Sequence, residues 1–329
     1  MSVARHQVAL GPRARPEPHA AILMGLCDGG PWIGAQLDSI REQNHTNWSL
    51  MVSDDGSIDN GAAVVDRFAD GFAPGTVKTR DGPGRGFVRN YLSMLSSVPP
   101  SAECVVFCDQ DDVWLPDRLA RASAVLAQIP VEVPALYLST TWITSQDLTR
   151  QGRSRPVRRD PCFANALVQC IGGGNTMAVN RAGQRLLRAA VPEGLLATGG
   201  IGPASHDWWM YQMISGAGGR IVADPRPSVL YRQHGWNQSG SNRGARALAR
   251  RAWQVLRGDA RRMVDRNLAA LNASAERLTP SNRRLLRQFE TARNLHIVAR
   301  LFAFRRLGLH RQTRAGTLVL WLAGLLRLI

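Results

Sequence analysis

Three carboxylates follow a short apolar segment in the first half of the chain. Cys104-Val-Val-Phe-Cys108 predicts a buried strand, and Asp109, Asp111 and Asp112 come directly after it. Carboxylates held this close repel one another, so a rigid strand end that carries them usually binds a hard divalent cation and the phosphate groups that this cation ligates. The alternative is an acidic turn that caps a helix opening at Pro116.

A second pair of acids ends an earlier strand. Trp48–Val52 predicts this strand, and Ser53-Asp-Asp-Gly-Ser57 follows it, with Asp54 and Asp55 at the turn. In open α/β sheets, ligands bind beyond the carboxyl ends of the strands. The two acidic turns are therefore expected to face one binding site.

The elements that position these acids alternate along the chain. Apolar residues at helical spacing, such as Ile33, Leu37 and Ile40, lie between strand-like runs. Strand, helix, strand, helix, strand predicts a largely parallel α/β sheet with right-handed crossovers. The strands are expected at 20–25, 48–52, 104–108, 134–138, 176–179, 221–223 and 229–231.

Three loops between these elements allow two interpretations each. Gly82–Gly86 does not follow a clear strand and lacks full G-x-G-x-x-G spacing, so a flexible turn is favoured over a dinucleotide loop. Arg150–Arg159 holds five arginines and forms either a solvated linker or a loop facing an anion. Gly172–Gly174 permits close approach of backbone to a ligand, or a plain tight turn.

Two polar residues stand out later in the chain. Asp207 lies in Ser205-His-Asp-Trp-Trp209 at the start of a predicted helix, where an acid also complements the helix dipole. His234 follows the last predicted strand, and a single histidine is most often structural. Neither position identifies its chemistry by itself.

The net charge of +16 over 329 residues is unevenly distributed. Residues 241–329 carry 19 arginines and four acids, whereas residues 1–240 are close to neutral. This asymmetry indicates a partner surface for the tail, either anionic lipid or polynucleotide. The five cysteines form no paired metal pattern and predict reduced thiols, and Met1–His19 lacks the apolar core of a secretory signal.

The tail ends in an apolar run, Thr317–Ile329, that Arg327 interrupts. A helix spanning a bilayer needs about 20 apolar residues, so this run predicts an interfacial helix on an anionic membrane. The alternative is a helical hairpin packed on the first part of the chain, with a solvated arginine face. The arginines expected to meet lipid are Arg243, Arg246, Arg250, Arg251, Arg305, Arg306, Arg311 and Arg314.

The order of these motifs resembles the family 2 glycosyltransferases of the GT-A fold, and among them the bacterial rhamnosyltransferase-like enzymes. Five features match in order over residues 20–240. They are the first strand with its Gly29 turn, Ser53–Ser57, Asp109–Pro116, His206–Trp208 and Tyr231–Gly235. Where many relatives have Thr-Tyr-Asn before the first glycine, this chain has Leu26-Cys27-Asp28.

The resemblance implies a role for each matching residue. The expected contacts to a sugar nucleotide are Asp28, Asp54, Asp55, Arg89, Asp109 and Arg232. Asp109, Asp111 and His234 would hold Mg²⁺ or Mn²⁺ against the two phosphates. Asp207 would be the catalytic base that deprotonates the acceptor hydroxyl.

The resemblance also implies an inverting transfer, without a covalent intermediate, in surface polysaccharide synthesis. The donor expected at family level is dTDP-rhamnose, and the acceptor a glycan or lipid-linked glycan. The division expected is an arm at 1–19, a GT-A domain at 20–240 with a nucleotide half to about 130, and a basic helical region at 241–329. The protein is expected to be cytoplasmic, peripheral on the inner membrane, and not a nucleic-acid binder.

Two other functions fit parts of the sequence. A sugar-phosphate nucleotidyltransferase uses a similar sheet, but it needs a basic glycine-rich loop after its first strand. Here the chain has no Lys or Arg between that strand and Arg41. A nucleic-acid-binding protein would depend on the basic tail, where aromatic stacking platforms are sparse.

Overall fold

Four parallel strands form the first half of a mixed sheet. The computed structural model describes residues 17–99, 101–200, 202–235 and 258–329. Within them, the parallel strands lie in the order β3-β2-β1-β4, so their carboxyl ends share one edge. These strands are β1 (Ala20–Leu26), β2 (Trp48–Asp54), β3 (Val77–Asp81) and β4 (Cys104–Asp109).

Three helices connect these strands, namely α1 (Gly30–Arg41), α2 (Gly61–Ala69) and α3 (Phe87–Ser97). The predicted face of α1 is confirmed, because Ile33, Leu37 and Ile40 are all buried against the sheet. They pack in one apolar core with the alternate side chains of β1 and β4, whereas α3 packs on the other face of the sheet. Burial on both faces fixes the strand register and thereby the edge at which the acids lie.

The second half of the sheet is mixed in direction. Strand β8 runs antiparallel between β4 and β6, and β9 continues parallel to β6. The elements are β5 (Val113–Trp114), α4 (Arg118–Leu126), β6 (Ala135–Thr144), β7 (Arg150–Arg153), α5 (Phe163–Ala166), a 3₁₀ turn (Gly174–Thr176), β8 (Met177–Asn180), α6 (Arg181–Ala197), α7 (His206–Gly216) and β9 (Arg220–Arg232).

Several boundaries differ from the sequence predictions. The helix expected to open at Pro116 begins at Arg118, because the short strand β5 intervenes and pairs with β9. The strands expected at 221–223 and 229–231 are one strand, β9, with irregular pairing to β6 midway. A strand, β3, does precede Gly82, and the first residues of the arginine loop form β7.

Four further helices follow residue 257 and pack on the sheet domain. They are α8 (Asp259–Ala273), α9 (Pro280–Asn294), α10 (Ile297–Arg306) and α11 (Arg314–Leu325), with a 3₁₀ turn at Ala275–Arg277. Leu271, Phe289 and Phe304 join the apolar core that contains Trp209 of α7. An ion pair between Arg277 and Glu193 of α6, at 2.5 Å, adds to this contact.

None of the helices in the described ranges is long and apolar enough to cross a membrane. Most of the predicted N-terminal arm, and Arg243, Arg246, Arg250 and Arg251 of the tail, lie outside the described residues. The domain division at residue 240 stays a prediction. The mixed α/β class with a helical C-terminal region is confirmed.

Candidate active site

One large cavity opens at the carboxyl edge of the parallel strands. Residues after β1, β2 and β4 line it on one side, and the start of α7 lines it on the other. Parallel strand direction brings the two acidic turns to this edge, as the sequence predicts. The cavity is therefore lined by most of the residues that the sequence predicts to bind ligands or to catalyse.

The acid cluster after β4 consists of Asp109, Asp111 and Asp112, with one oxygen of each within 4.8 Å of the others. Asp112 is fully buried; the side-chain amide of Asn175 donates to its Oδ2, and the backbone N–H of Arg232 donates to its Oδ1 at 3.2 Å. Burial, together with the two neighbouring carboxylates, raises the pKa of Asp112 well above its ordinary value. Asp112 thus anchors the turn.

Asp109 lies at the end of β4 and is only partly exposed. The Tyr91 hydroxyl, which reaches it from α3, lies 2.8 Å from its Oδ1 and 2.6 Å from the Cys108 carbonyl oxygen. Burial and the charge of Asp111 raise the pKa of Asp109 to about 7, although the Tyr91 bond acts in the opposite direction. The site therefore holds more negative charge than it can stabilise alone.

His234 comes to this cluster from the chain after β9. Its Nε2 lies 2.8 Å from Oδ2 of Asp111, and its ring stacks on Trp32 of α1 with centroids 4.8 Å apart. The Arg232 guanidinium also lies over the Trp32 ring, 5.1 Å from its centroid. Its Nε donates to the Asp111 carbonyl oxygen at 3.0 Å. The Arg232 side chain thus binds the acidic turn at a backbone carbonyl group and leaves the Asp111 carboxylate to other partners.

The residues of this cluster fit a divalent cation. Clustered carboxylate oxygens suit Mg²⁺ and Mn²⁺, and His234 adds a nitrogen donor. Burial and the charge of Asp111 raise the pKa of Asp109, and a bound cation would favour its ionised form against both effects. Asp112, whose oxygens already accept hydrogen bonds from Asn175 and Arg232, supports the turn.

The acids after β2 organise the neighbouring loops. Asp54 accepts from the backbone and hydroxyl of Ser57, at 2.9 and 2.6 Å. Asp55 accepts from the backbone N–H groups of Gly84 and Gly86, at 2.7 and 2.6 Å, so it binds the glycine loop after β3. Asp55 lines the cavity, whereas Asp54 is turned into its own loop.

The turn after β1 is joined to the acid cluster by Gln110. Its amide accepts from the Cys27 N–H at 2.7 Å and donates to the Cys27 carbonyl at 2.8 Å. A Cβ at Gly29 would lie 2.4 Å from the Gln110 amide oxygen, so a larger residue there would displace this amide from Cys27. Asp28, with a positive φ of 48°, accepts from the Ile58 N–H at 2.8 Å and lines the cavity.

Asp207 faces the cavity from the first turn of α7. The helix is buried along its length, and its Trp208 indole donates to the Ala166 carbonyl at 2.7 Å, which fixes the helix start. His206 beside it is buried and stacks on Tyr91 with centroids 4.2 Å apart. A rigid carboxylate thus lies in the same cavity as the acid cluster.

The structure brings together six of the nine predicted site residues, Asp28, Asp55, Asp109, Asp111, Asp207 and His234, around the cavity. Asp54, Arg89 and Arg232 are not among its lining residues, and Arg89 instead donates to the Gly200 carbonyl. The roles of all nine remain predictions. Residue patterns missed Tyr91, Gln110 and Asn175, although Gln110 between two acids was a local signal.

Known proteins resemble the chain in sequence. The sequence model of the family Glycosyl transferase family 2 matches residues 22–171 of this chain. The dTDP-rhamnosyl transferase RfbG of Shigella flexneri is 26% identical over 231 residues, which cover 69% of this chain and 77% of RfbG.

Known structures resemble the chain in fold. The crystal structure of S. aureus TarS superposes with a TM-score of 0.52 at 14% identity, covering 83% of this chain and 43% of TarS. TarS 1-349 in complex with UDP gives a TM-score of 0.51 at 13% identity, with coverages of 88% and 80%. This chain thus spans less than half of full-length TarS, and the likeness establishes a GT-A fold.

Proposed function

Since the chain is a glycosyltransferase with a family 2 domain at residues 22–171, we propose that it transfers rhamnose from dTDP-rhamnose with inversion at the anomeric carbon. The acceptor is a glycan or a lipid-linked glycan of a surface polysaccharide. Similarity to a dTDP-rhamnosyl transferase over 69% of the chain supports this donor. The cofactor proposed is Mg²⁺ or Mn²⁺.

The observation that carries the proposal is the pairing of two kinds of carboxylate in one cavity. Asp109 and Asp111 lie with His234 at the strand edge, and Asp207 lies at the start of a buried helix that faces them. A cation held by the first group would stabilise the negative charge of the leaving diphosphate. Asp207 would take the proton of the acceptor hydroxyl.

The reaction proceeds as one displacement. The acceptor hydroxyl oxygen forms a bond to the anomeric carbon while the bond from that carbon to the diphosphate oxygen breaks. Asp207 accepts the hydroxyl proton as its oxygen attacks, which is the contribution of a positioned general base. The two acidic turns and the backbone around Gly29 orient the nucleotide. Attack from the side opposite the leaving group inverts the anomeric centre.

The test is a screen of sugar nucleotides for stabilisation of the full chain against heat, with and without Mn²⁺. A ligand that binds only the folded state raises the melting temperature. We expect dTDP-rhamnose to give the largest increase, and only with metal. A larger increase with another sugar nucleotide refutes the donor, and equal increases in EDTA refute the metal.

We also propose that the C-terminal helices dock on an anionic membrane. Exposed apolar side chains on α10, Val298 and Phe302, lie on a helix whose last turn carries Arg305 and Arg306. Apolar side chains beside arginines are typical of interfacial helices. On this proposal the protein is peripheral on the cytoplasmic face of the inner membrane.

Vesicle flotation of the full chain tests this docking. Phe302 is 68% exposed, so Phe302→Glu removes an apolar contact with lipid without disturbing the core. We expect the native chain to float with anionic vesicles at low salt and the variant to float less. Val131→Glu, at a 58% exposed position of the sheet domain, is the control. Equal flotation of all three chains would contradict the proposal.

A further inference from the structure

The wall of the catalytic cavity on the side of the C-terminal helices is apolar. One face of α11 lines it with Ala315, Val319, Leu322 and Ala323, and Leu326 directly after the helix continues this apolar surface. Val319 and Leu322 are 51% and 48% exposed, which is high for leucine and valine side chains inside a cleft. The region that the sequence assigned to a separate tail therefore completes the site.

The apolar wall is continuous with the position of the base. Trp208, the residue after Asp207, lines the cavity together with Ile171. Met263 of α8, which is 43% exposed, also lines it. An acceptor whose hydroxyl reaches Asp207 would lie with its remaining part along this wall.

The apolar surface also extends beyond the cavity. Leu326 lines both the cavity and a shallow groove formed with Ile297, Val298 and Leu325. Ile297 and Val298 are 50% and 58% exposed, so this groove is open to solvent. A continuous apolar path from the cavity to an open groove fits a long chain better than a small apolar group.

Arginines of the loop after β7 line the same cavity. Arg155 and Arg158 are exposed, and within the described ranges no hydrogen bond or ion pair engages either guanidinium. Gln312, in the segment before α11, accepts from the backbone N–H groups of Arg158 and Arg159, both at 2.9 Å. This contact fixes the arginine loop beside the apolar helix face.

We propose that α11 and the arginine loop form an acceptor subsite for a phosphorylated long hydrocarbon chain. The hydrocarbon lies along Val319, Leu322 and Leu326, and Arg155 and Arg158 pair with the phosphate. Guanidinium groups bind phosphate oxygens in charge-assisted pairs, and the cavity acids opposite them keep the phosphate away from the strand edge. This inference rests on the proposed function and selects the lipid-linked form of its acceptor.

Calorimetry of the full chain with dodecyl phosphate, below its micelle concentration, tests the subsite. Inorganic phosphate and dodecyl maltoside separate the two parts of the ligand. We expect dodecyl phosphate to bind at least tenfold more tightly than either. Equal affinity for dodecyl maltoside would show that the arginines play no part, and absence of dodecyl phosphate binding would overturn the subsite.

Matched variants locate the ligand. Leu322→Glu and Arg158→Gln should each lower the affinity for dodecyl phosphate at least tenfold. The controls are Leu318→Glu, at a 58% exposed position of α11 that does not line the cavity, and Arg159→Gln, beside Arg158 and also outside the lining. Equal losses in variants and controls would refute the location.

Thermal stabilisation by dTDP with Mn²⁺ is measured on the same variants. It should be unchanged, because Leu322 and Arg158 lie outside the acid cluster. Loss of lipid binding with intact nucleotide binding supports the subsite. Absence of nucleotide binding in the native chain would refute the proposed function instead, so the two failures are distinguishable.

Discussion

Replacing Asp109 with asparagine should stabilise the metal-free protein at neutral and alkaline pH. The pKa of Asp109 lies at about 7 in the folded chain, against an ordinary value of 3.8. The folded state therefore retains a proton that the unfolded chain loses near pH 4. Stability of the native protein falls as pH rises through this window, because the unfolded chain releases this proton while burial and the charge of Asp111 hold it in the folded chain. Asparagine avoids that ionisation and can still accept the Tyr91 hydrogen bond.

The pKa difference sets the size of the effect. Each unit of pKa difference corresponds to about 1.4 kcal/mol. The upper limit for the gain in unfolding free energy at pH 8 is therefore ~4 kcal/mol. Asp109 is partly exposed to the cavity, and solvent screening reduces such terms. We expect Asp109→Asn to raise the free energy of unfolding by about 2 kcal/mol at pH 8, and by much less at pH 4.

Urea unfolding in EDTA at pH 4, 6 and 8 measures this difference. Asp160→Asn, at an exposed carboxylate outside the cavity lining, is the control and should leave stability unchanged at each pH. Adding Mn²⁺ should stabilise the native chain more than Asp109→Asn, since the variant loses a charged ligand. If Asp109→Asn is no more stable than the native chain at pH 8 in EDTA, the electrostatic account of the cluster is wrong.

Other substitutions test the remaining parts of the site. Asp111→Asn should abolish metal-dependent donor binding while keeping the fold; unchanged donor affinity in calorimetry, with and without metal, would exclude Asp111 as a ligand. Asp207→Asn should keep donor binding and lower the turnover rate by roughly 10² or more; near-normal turnover would leave Asp207 a helix-dipole role only. Gly174→Ala should cost about 1–3 kcal/mol in urea unfolding, since its Cβ would lie 2.3 Å from Nε2 of buried His206. Gly34→Ala, with no atom within 4 Å, is its control, and equal stability of the two variants would contradict the predicted clash.

The acidic turns were predictable from sequence because their positions depend on local pattern. An apolar run of strand length ending in Asp109, and another ending in Asp54, fix the strand ends. Parallel pairing through β1 then brings both ends to one edge, as the alternation of strands and helices requires. The helix faces followed from the spacing of apolar residues for the same reason.

The contacts of the individual side chains required the tertiary structure. Asn175 and Arg232 reach Asp112 across 63 and 120 residues, and His234 reaches Asp111 across 123. No local pattern encodes such a pairing, since it depends on β8 lying beside β4 and on β9 lying beside β5. For the same reason, the sequence did not predict that Arg89 donates to the Gly200 carbonyl.

The C-terminal region shows most clearly what the sequence determines and what only the tertiary structure decides. Composition and apolar spacing alone predicted a basic helical region there. Only packing decided that α11 lines the cavity at the strand edge, because its apolar face has the same pattern whether it meets lipid, a core or a ligand. Periodicity determines that a helix has an apolar face, and the tertiary structure determines what that face contacts.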